Sequence, residues 1–357
     1  MLDFFPPAPR GLKGRVTELH TLERAIARGA KRLALVGGGG SGKSVLAAAL
    51  GRRVAHRFQG RIHWLRVGAW DAQTLFETFA LRFRTTRERD QRVQALREFF
   101  VREGPRLVVL DNHEDDRATA KVLDAFADTP VTFLVTARRC LLGGVLVFPV
   151  TAPMVTAGRA AFPRVAALTH TLRWNPLALD IADAIVASGA STVERLAAWL
   201  DAEGVGRVRV IAHEDDLPEV ALLVAWAWPK LPESSKRMLG VLAHVEGDHV
   251  DLGSLAELAD VPRRTRDRAL APLLKYRLVQ EPLAGRYALH AVVRYAIAQR
   301  TSPDPRRLFE HYLAMLERDA SRLALEQTHL FTAMDWANRT DDLDGMLRIE
   351  RLLSALE

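Results

Sequence analysis

The sequence predicts an α/β fold, in which a parallel five-stranded sheet with helices on both faces is followed by mainly helical segments. Five short runs, starting near residues 33, 61, 106, 131 and 145, are apolar or rich in β-branched residues. The segments between them repeat apolar residues at helical spacing. Such alternation is typical of a parallel sheet that is covered on both faces. After Thr156 the strand signal stops and helical patterns take over.

The first run, Leu33–Val36, ends in a glycine-rich segment that leads into an alanine- and leucine-rich helix. Its G-x-x-x-x-G-K-S spacing predicts a P-loop NTPase domain that binds ATP or ADP with Mg²⁺. Glycines let backbone N–H groups turn around a phosphate chain, and the next helix points its positive end at the same anion. A flexible Gly-Ser loop would not explain Lys43, expected at the β- and γ-phosphates, or Ser44, expected at Mg²⁺. The expected nucleotide contacts are Gly37, Gly39, Gly40, Ser41, Gly42, Lys43, Ser44 and Val45.

The composition is typical of a soluble protein with more than one domain. A chain of 357 residues exceeds one ordinary core, and its hydrophobic and charged contents are 48% and 26%. No apolar run is long enough to span a bilayer, and the N-terminus lacks the basic-then-apolar pattern of a secretory signal. The single cysteine, Cys140, cannot form an internal disulfide. We therefore expect a cytoplasmic protein without a membrane partner.

Asp111 is the first candidate metal ligand outside the glycine-rich segment. It follows the apolar residues Leu107–Leu110. A buried parallel strand would deliver this carboxylate at its C-terminal end, where ligands bind in open parallel sheets. Asp111 would then lie beside the phosphate loop and, with Ser44, hold Mg²⁺ directly or through water. An aspartate that only caps the next helix is the alternative.

The residues after Asp111 are candidates for positioning the water that attacks the γ-phosphate. Asn112 carries an amide, which cannot act as a general base. Glu114 and His113 are therefore the better candidates. We place Glu114 with Lys43 and Asp111 in the predicted catalytic set.

The next β-branched run, Val131–Val135, ends in Thr136, Ala137, Arg138 and Arg139. Like Asp111, these residues would lie at the C-terminal end of a parallel strand. A threonine or arginine there can sense the γ-phosphate, because a guanidinium is a planar charged fork that suits phosphate oxygens. Arg138 completes the predicted catalytic set, and Thr136 is a predicted nucleotide contact. A basic turn facing solvent is the alternative, more so for Arg139 than for Arg138.

The order of these motifs resembles the NB-ARC module of STAND regulatory ATPases, a group that contains apoptosome organisers, plant resistance proteins and bacterial regulators. The resemblance implies that the pair Gly14-Arg15, with Val16 next to it, lies by the adenine. It equates Trp174-Asn-Pro-Leu-Ala-Leu179 with a G-L-P-L-A-L motif on a helical lid, where Pro176 and Leu177 contact the nucleotide. Asn175 departs from that motif.

The resemblance also implies a winged-helix domain, and the region from Pro218 to Arg300 contains suitable elements. Three helices are predicted at 234–242, 252–259 and 265–276, and two short strands at 278–289 turn at Ala284-Gly285. His290 then matches a family histidine that contacts the β-phosphate of ADP in the resting state. The aspartate of that motif is Ala291 here, and a histidine that only caps the next helix is the alternative.

The last part of the chain resembles the helical entry into tetratricopeptide arrays. Only one or two helical hairpins fit before Glu357, so we expect the start of a longer sensor for an unknown stimulus. The predicted domains are therefore a nucleotide-binding domain (1–155), a helical lid (156–216), a winged-helix domain (217–300) and a C-terminal α-helical segment (301–357).

Two function classes follow. The first is a signalling switch that is closed with ADP, self-associates with ATP and hydrolyses ATP slowly. The second is a DNA-acting ATPase of the AAA-plus or origin-recognition kind, since Arg263-Arg-Thr-Arg266-Asp-Arg268 would suit phosphate contacts. The net charge of +7 permits such a partner, but arginines occur along the whole chain. The lid motif and His290 favour the switch.

Overall fold

The computed structural model describes residues 15–68, 70–85, 88–151, 162–203, 217–245, 249–302 and 304–354. The chain forms two compact units. The first holds the described residues up to Pro163 together with Trp174–Pro176, and the second holds Arg164–Arg173 and the described residues from Leu177 onward. Gly14 and Thr156 lie outside the described residues. The division into four domains stays a prediction.

The first unit is built on a five-stranded parallel sheet, as predicted. Its strands stand in the order β2-β3-β4-β1-β5, so β4 separates β3 from the strand that leads into the glycine-rich loop. The strands are β1 (Arg32–Val36), β2 (Ile62–Arg66), β3 (Arg106–His113), β4 (Val131–Ala137) and β5 (Leu146–Pro149).

Helices cover both faces of this sheet. One face packs under α3, α4 and α5 with a phenylalanine-rich core that includes Phe79, Phe100 and Phe126. The other face packs under α1 and α2 around Leu22 and Leu50. The predicted periodicity of apolar residues is thus confirmed by their burial. The helices are α1 (Val16–Ala27), α2 (Lys43–Val54), α3 (Ala72–Phe83), α4 (Arg89–Glu103) and α5 (Asp116–Ala125).

Strand β3 does not end at Asp111, where the sequence-based prediction placed its last residue. It continues to His113, with a shift of register against β4 between Leu110 and His113. Asn112 has a φ of 59°. Asparagine tolerates this left-handed conformation better than most residues, so the strand bends directly after the carboxylate.

The regular elements described in the second unit are helices and a small antiparallel sheet in the order β6-β8-β7. The three helices predicted between residues 234 and 276 are present, as are the two strands that turn at Ala284-Gly285. The short strand β6 was not predicted. The elements are α6 (Pro176–Ala187, whose first residue belongs to the first unit), α7 (Val193–Glu203), α8 (Pro218–Ala227), α9 (Glu233–His244), β6 (Val250–Asp251), α10 (Leu252–Leu258), α11 (Arg266–Lys275), β7 (Val279–Leu283), β8 (Arg286–Leu289), α12 (Ala291–Ala298), α13 (Pro305–Arg318), α14 (Leu323–Thr340) and α15 (Leu343–Ser354).

Within the described ranges, no helix has both the length and the apolar character that a membrane span requires.

Candidate functional site

The glycine-rich loop connects β1 to α2 and closes against the neighbouring strands. The Gly37 N–H donates to the carbonyl oxygen of Ala137 at 3.2 Å. A Cβ atom at Gly37 would lie 2.3 Å from the carbonyl oxygen of Val150, so only glycine allows this approach. Gly42 precedes α2 with a φ of 93°. The loop therefore turns its backbone toward the N-terminus of α2, whose first turn contains no acidic residue.

Lys43 begins α2 and folds back over the loop. Its Nζ donates to the carbonyl oxygens of Gly37 and Gly38 at 2.7 and 2.8 Å. The ammonium group thus lies at the loop. The oxygens of a bound phosphate chain would replace these carbonyl oxygens as its hydrogen-bond acceptors. The Ser41 hydroxyl is buried and has no hydrogen-bond partner among the residues described.

Asp111 lies beside the loop, as the sequence predicted, although β4 stands between β3 and β1. Its Oδ1 accepts hydrogen bonds from the hydroxyls of Ser44 at 2.7 Å and Thr136 at 2.6 Å. The Thr136 hydroxyl in turn accepts from the Asn112 N–H at 2.9 Å. Three segments that are distant in the sequence therefore meet at one carboxylate at the C-terminal edge of the sheet.

Glu114 and His113 occupy different environments. Glu114 is exposed, and its Oε1 accepts from Asn112 Nδ2 at 2.9 Å. His113 is buried, with Nε2 2.7 Å from Asp116 Oδ1 and Nδ1 2.8 Å from Thr119 Oγ1. Both ring nitrogens of His113 are thus bound to α5. Of the two candidates for positioning water, Glu114 has the more accessible side chain.

Arg15 contacts the phosphate loop, a connection that its predicted place near an adenine did not suggest. Its Nη2 donates to the carbonyl oxygens of Ser41 at 2.7 Å and Thr151 at 2.5 Å. Its Nη1 pairs with Glu18 Oε1 at 3.0 Å. The buried guanidinium therefore joins the start of α1, the loop and the end of the sheet. Val16 is 56% exposed, and the adenine contact of both residues stays a prediction.

Asn175 is a second residue that sequence reasoning did not place at the loop. It is 8% exposed, and its Nδ2 donates to the carbonyl oxygen of Gly39 at 3.2 Å. Trp174 has a φ of 58°, which turns the chain just before Pro176 starts α6. The departure at Asn175 from the family motif was the available signal, because an amide in place of an apolar residue needs a polar partner.

The other residues predicted for the site lie directly after β4, on α2 or α6, or in the second unit. Arg138 is half-buried directly after β4, Arg139 is exposed, and Val45 is 46% exposed on α2. Leu177 and His290 belong to the second unit. Their contacts with a nucleotide stay predictions, as does the contact of Pro176 with the base.

The residues at this edge fit Mg²⁺ that arrives with a nucleotide. Mg²⁺ prefers oxygen ligands and usually binds through one or two carboxylates together with substrate phosphates. Asp111 and Ser44 supply one carboxylate and one hydroxyl. No cluster of three or more His, Cys, Asp or Glu side chains in the described part of the chain could hold a metal. Phosphate oxygens would therefore have to complete the coordination.

No family model matches the sequence, and no curated protein matches it either. The structure is similar to that of PH0952 from Pyrococcus horikoshii, a Signal Transduction ATPase with Numerous Domains (STAND) protein with a tetratricopeptide repeat sensor. The two share 17% sequence identity with a TM-score of 0.61, over 99% of this chain and 54% of PH0952. This chain thus spans about half the length of that protein.

This chain has a P-loop NTPase fold. Weaker similarities, too distant to carry an argument, extend to Cdc6p from Pyrobaculum aerophilum and to RuvB from Thermotoga maritima. The Cdc6p match has 14% identity and a TM-score of 0.39 over 83% of this chain and 97% of that one. The RuvB match has 17% identity and a TM-score of 0.31 over 82% and 98%.

Proposed function

We propose that this protein is a STAND-type switch that binds ADP in a closed state and ATP in an open, self-associating state, with slow ATP hydrolysis. The observation that carries the proposal is the Asp111 carboxylate, held by the Ser44 and Thr136 hydroxyls next to the Lys43 loop. A flexible glycine loop has no need of a carboxylate fixed at its side, whereas a Mg²⁺–nucleotide site does.

Different residues of the site have different roles in phosphoryl transfer. The loop and the N-terminus of α2 bind the phosphate chain, and Lys43 places a positive charge on its β- and γ-phosphates. Mg²⁺, when bound at Asp111 and Ser44, neutralises charge on the phosphates. Glu114 orients water, and Arg138 stabilises the charge of the transferred group. Asn112 does not supply a general base, since its amide cannot accept a proton.

The proposed switch needs a lid (156–216), a winged-helix domain (217–300) and the start of a helical sensor (301–357). Three helices and an antiparallel sheet between residues 233 and 289 support the winged-helix assignment. Three further helices after residue 304 support the sensor, and the similar fold of PH0952, which has a tetratricopeptide repeat sensor, agrees with it. A ligand that binds one arrangement of the domains more tightly shifts the population toward it.

The test is the nucleotide that copurifies with the protein, identified after denaturation. We expect ADP at about one per chain, lost in Lys43→Ala while the protein stays folded, because this charge serves the ligand. Lys121→Ala removes an equally charged exposed side chain from α5 and should retain ADP. Wild-type stoichiometry of nucleotide in Lys43→Ala would overturn the assignment of the site.

A DNA-acting ATPase is the second candidate, favoured by exposed arginines at the start of α11. Arg263, Arg264 and Arg268 are exposed, whereas Arg266 is half-buried and lies 3.9 Å from Asp267. Duplex binding through phosphates weakens steeply with salt. Binding of a DNA duplex at physiological ionic strength, abolished in Arg264→Ala plus Arg268→Ala, would favour this candidate over the switch.

A further inference from the structure

A cavity of about 690 Å³ lies in the first unit at the edge of the sheet opposite the phosphate loop. It is bounded by the beginnings of β2 and β3 and by the C-terminal ends of α3 and α4. Its volume is within the range of small-molecule sites. None of the residues assigned to the nucleotide lines this cavity.

The lining of this cavity is strongly basic. Five arginines and two glutamates, Glu98 and Glu103, line it, so positive charges exceed negative charges by three. One of the glutamates already pairs with an arginine, since Glu103 Oε1 lies 3.2 Å from Arg102 Nε. Like charges gathered around a cavity repel one another and attract an anion. The arginines are Arg61, Arg82, Arg84, Arg102 and Arg106.

Two of these guanidinium groups are held in place by the fold. Arg106 is 2% exposed and lies over the rings of Phe99 and Phe100, at 4.8 and 5.2 Å from their centroids. Arg61 donates to the backbone carbonyl of Glu103. A planar guanidinium that is already ordered loses little further freedom when it binds a phosphate oxygen.

Thr85 supplies an independent indication of a ligand. It lines the cavity, and its hydroxyl is buried and forms no hydrogen bond with any described residue. The residue before it, Arg84, has a φ of 52° and ends α3 as a left-handed cap, since the Thr85 N–H donates to the Ala80 carbonyl oxygen at 3.0 Å. Buried hydroxyls normally have a partner, so we expect a ligand to bond to the Thr85 hydroxyl.

We propose that this cavity binds a small phosphorylated anion, at a site separate from the phosphate loop. The arginine forks and the Thr85 hydroxyl would bind its phosphate oxygens. The rings of Phe83 and Phe99, which line the cavity, would contact its less polar part. Such a ligand would give the protein a second input, independent of the nucleotide.

Inorganic pyrophosphate, titrated calorimetrically into the full chain, tests this proposal. Lys43→Ala removes binding at the phosphate loop, and we expect one pyrophosphate per chain to remain in this variant. Adding Thr85→Val or Arg84→Ala should weaken the remaining site about tenfold each. Adding Arg57→Ala, which removes an exposed arginine outside the cavity, should leave the affinity unchanged.

Two results would overturn the proposal: no pyrophosphate binding in Lys43→Ala, or equal affinity in the Thr85→Val, Arg84→Ala and Arg57→Ala backgrounds. Thr85→Val is expected to keep the wild-type Tm, because the hydroxyl that it removes has no partner. Titration of adenosine monophosphate tests which kind of ligand the cavity prefers. Tighter binding than that of pyrophosphate indicates a nucleotide, and weaker binding indicates a free phosphate. Retention of ADP by the phosphate loop is measured separately, so failure of this proposal can be distinguished from failure of the proposed function.

Discussion

The hydroxyl of Thr136 joins two strand ends through one side chain. It is 1% exposed, donates to Asp111 Oδ1 at 2.6 Å and accepts from the Asn112 N–H at 2.9 Å. The sequence-based expectation was that Thr136 or its neighbour Arg138 senses the γ-phosphate directly. We propose a positioning role for Thr136, because its hydroxyl is bonded to the carboxylate proposed to hold Mg²⁺. Direct sensing of the γ-phosphate stays a prediction.

Thr136→Val should therefore lower both stability and turnover. The substitution leaves a buried N–H without its acceptor, which costs about 1–3 kcal/mol in the free energy of unfolding. It also removes one of the two hydroxyl hydrogen bonds that hold Asp111 Oδ1, so we expect ATP turnover to fall about tenfold. Thr132→Val on the same strand is the matched control. Equal losses in the two variants, or unchanged turnover in Thr136→Val, would contradict the positioning role.

Substitutions at Glu114 and His113 should have different effects, the first on ATP turnover and the second on thermal stability. Glu114→Gln retains size but removes the charge from an exposed side chain, so turnover should fall while Tm stays the same. His113→Ala removes the buried contacts with Asp116 and Thr119, so Tm should fall. Measurements of ATP hydrolysis and thermal melting on both variants test these two expectations. Unchanged turnover in Glu114→Gln would exclude Glu114 from positioning the water.

Helix α12 begins next to His290, a residue for which two roles were considered. His290 is the N-cap of this helix, and its Nδ1 accepts from the Val292 N–H at 3.3 Å. The capping alternative is therefore present in the structure. The proposed contact of the same histidine with the β-phosphate of ADP stays a prediction.

Two substitutions at His290 distinguish the cap from the phosphate contact. His290→Ala loses both, so ADP should dissociate about 10- to 100-fold faster and stability should fall by about 1 kcal/mol. His290→Asp restores a good cap but repels phosphate, so Tm should recover while ADP still dissociates quickly. ADP dissociation and Tm are measured on the same preparations. A normal dissociation rate in His290→Asp would leave the cap as the whole role.

At the scale of the molecule, the second unit contains a buried polar cluster that joins its small sheet to α14. Arg286 Nη2 on β8 lies 2.7 Å from Glu326 Oε2, and both side chains are buried. The Arg286 Nε donates to His249 Nδ1 at 2.7 Å, and His329 Nε2 lies 2.9 Å from the His249 carbonyl oxygen. Burying charges is costly unless they are paired, so removing one member of this cluster would leave an unpaired charge between the sheet and α14.

This cluster predicts that the second unit loses stability in acid. Burial lowers the pKa of His249 to about 4, with Arg286 adding to the shift, and burial also lowers the pKa of His329 to about 4. In the unfolded chain both would take up protons below about pH 6.5. The unfolded state then binds more protons than the folded state, so stability falls between about pH 6.5 and pH 4. Among the described residues, the charged or titratable groups around the two histidines and Arg286 include Glu326, Arg294, Arg322, Asp251 and Tyr312.

Thermal melting at pH 7.5 and pH 5 measures this effect, and Tm should be several degrees lower at pH 5. His329→Gln keeps a side-chain N–H for the His249 carbonyl oxygen but cannot titrate. Its Tm should therefore depend less on pH than that of the wild type. Equal Tm values of the wild type at the two pH values would contradict the assignment of buried neutral histidines.

Features that depend on local pattern could be predicted from the amino-acid sequence. The spacing from Gly37 to Ser44 identified the loop, because glycine, lysine and serine at these positions have direct chemical reasons. Hydrophobic periodicity identified the five strands and most helices, because burial follows the period of each element. The placement of Asp111 beside the loop also followed, since all parallel strands present their carboxyl ends at one edge.

Contacts between side chains that are distant in the sequence became visible in the three-dimensional structure. Thr136 reaches Asp111 because β4 stands next to β3, and Arg15 reaches Thr151 across 136 residues of the sequence. The arginines of the basic cavity come from four segments, and none of these has a notable motif of its own. Local pattern specifies which element a residue enters and which face it occupies. Contacts between elements depend instead on the order in which the strands pair and the helices pack, and no single stretch of sequence contains that order.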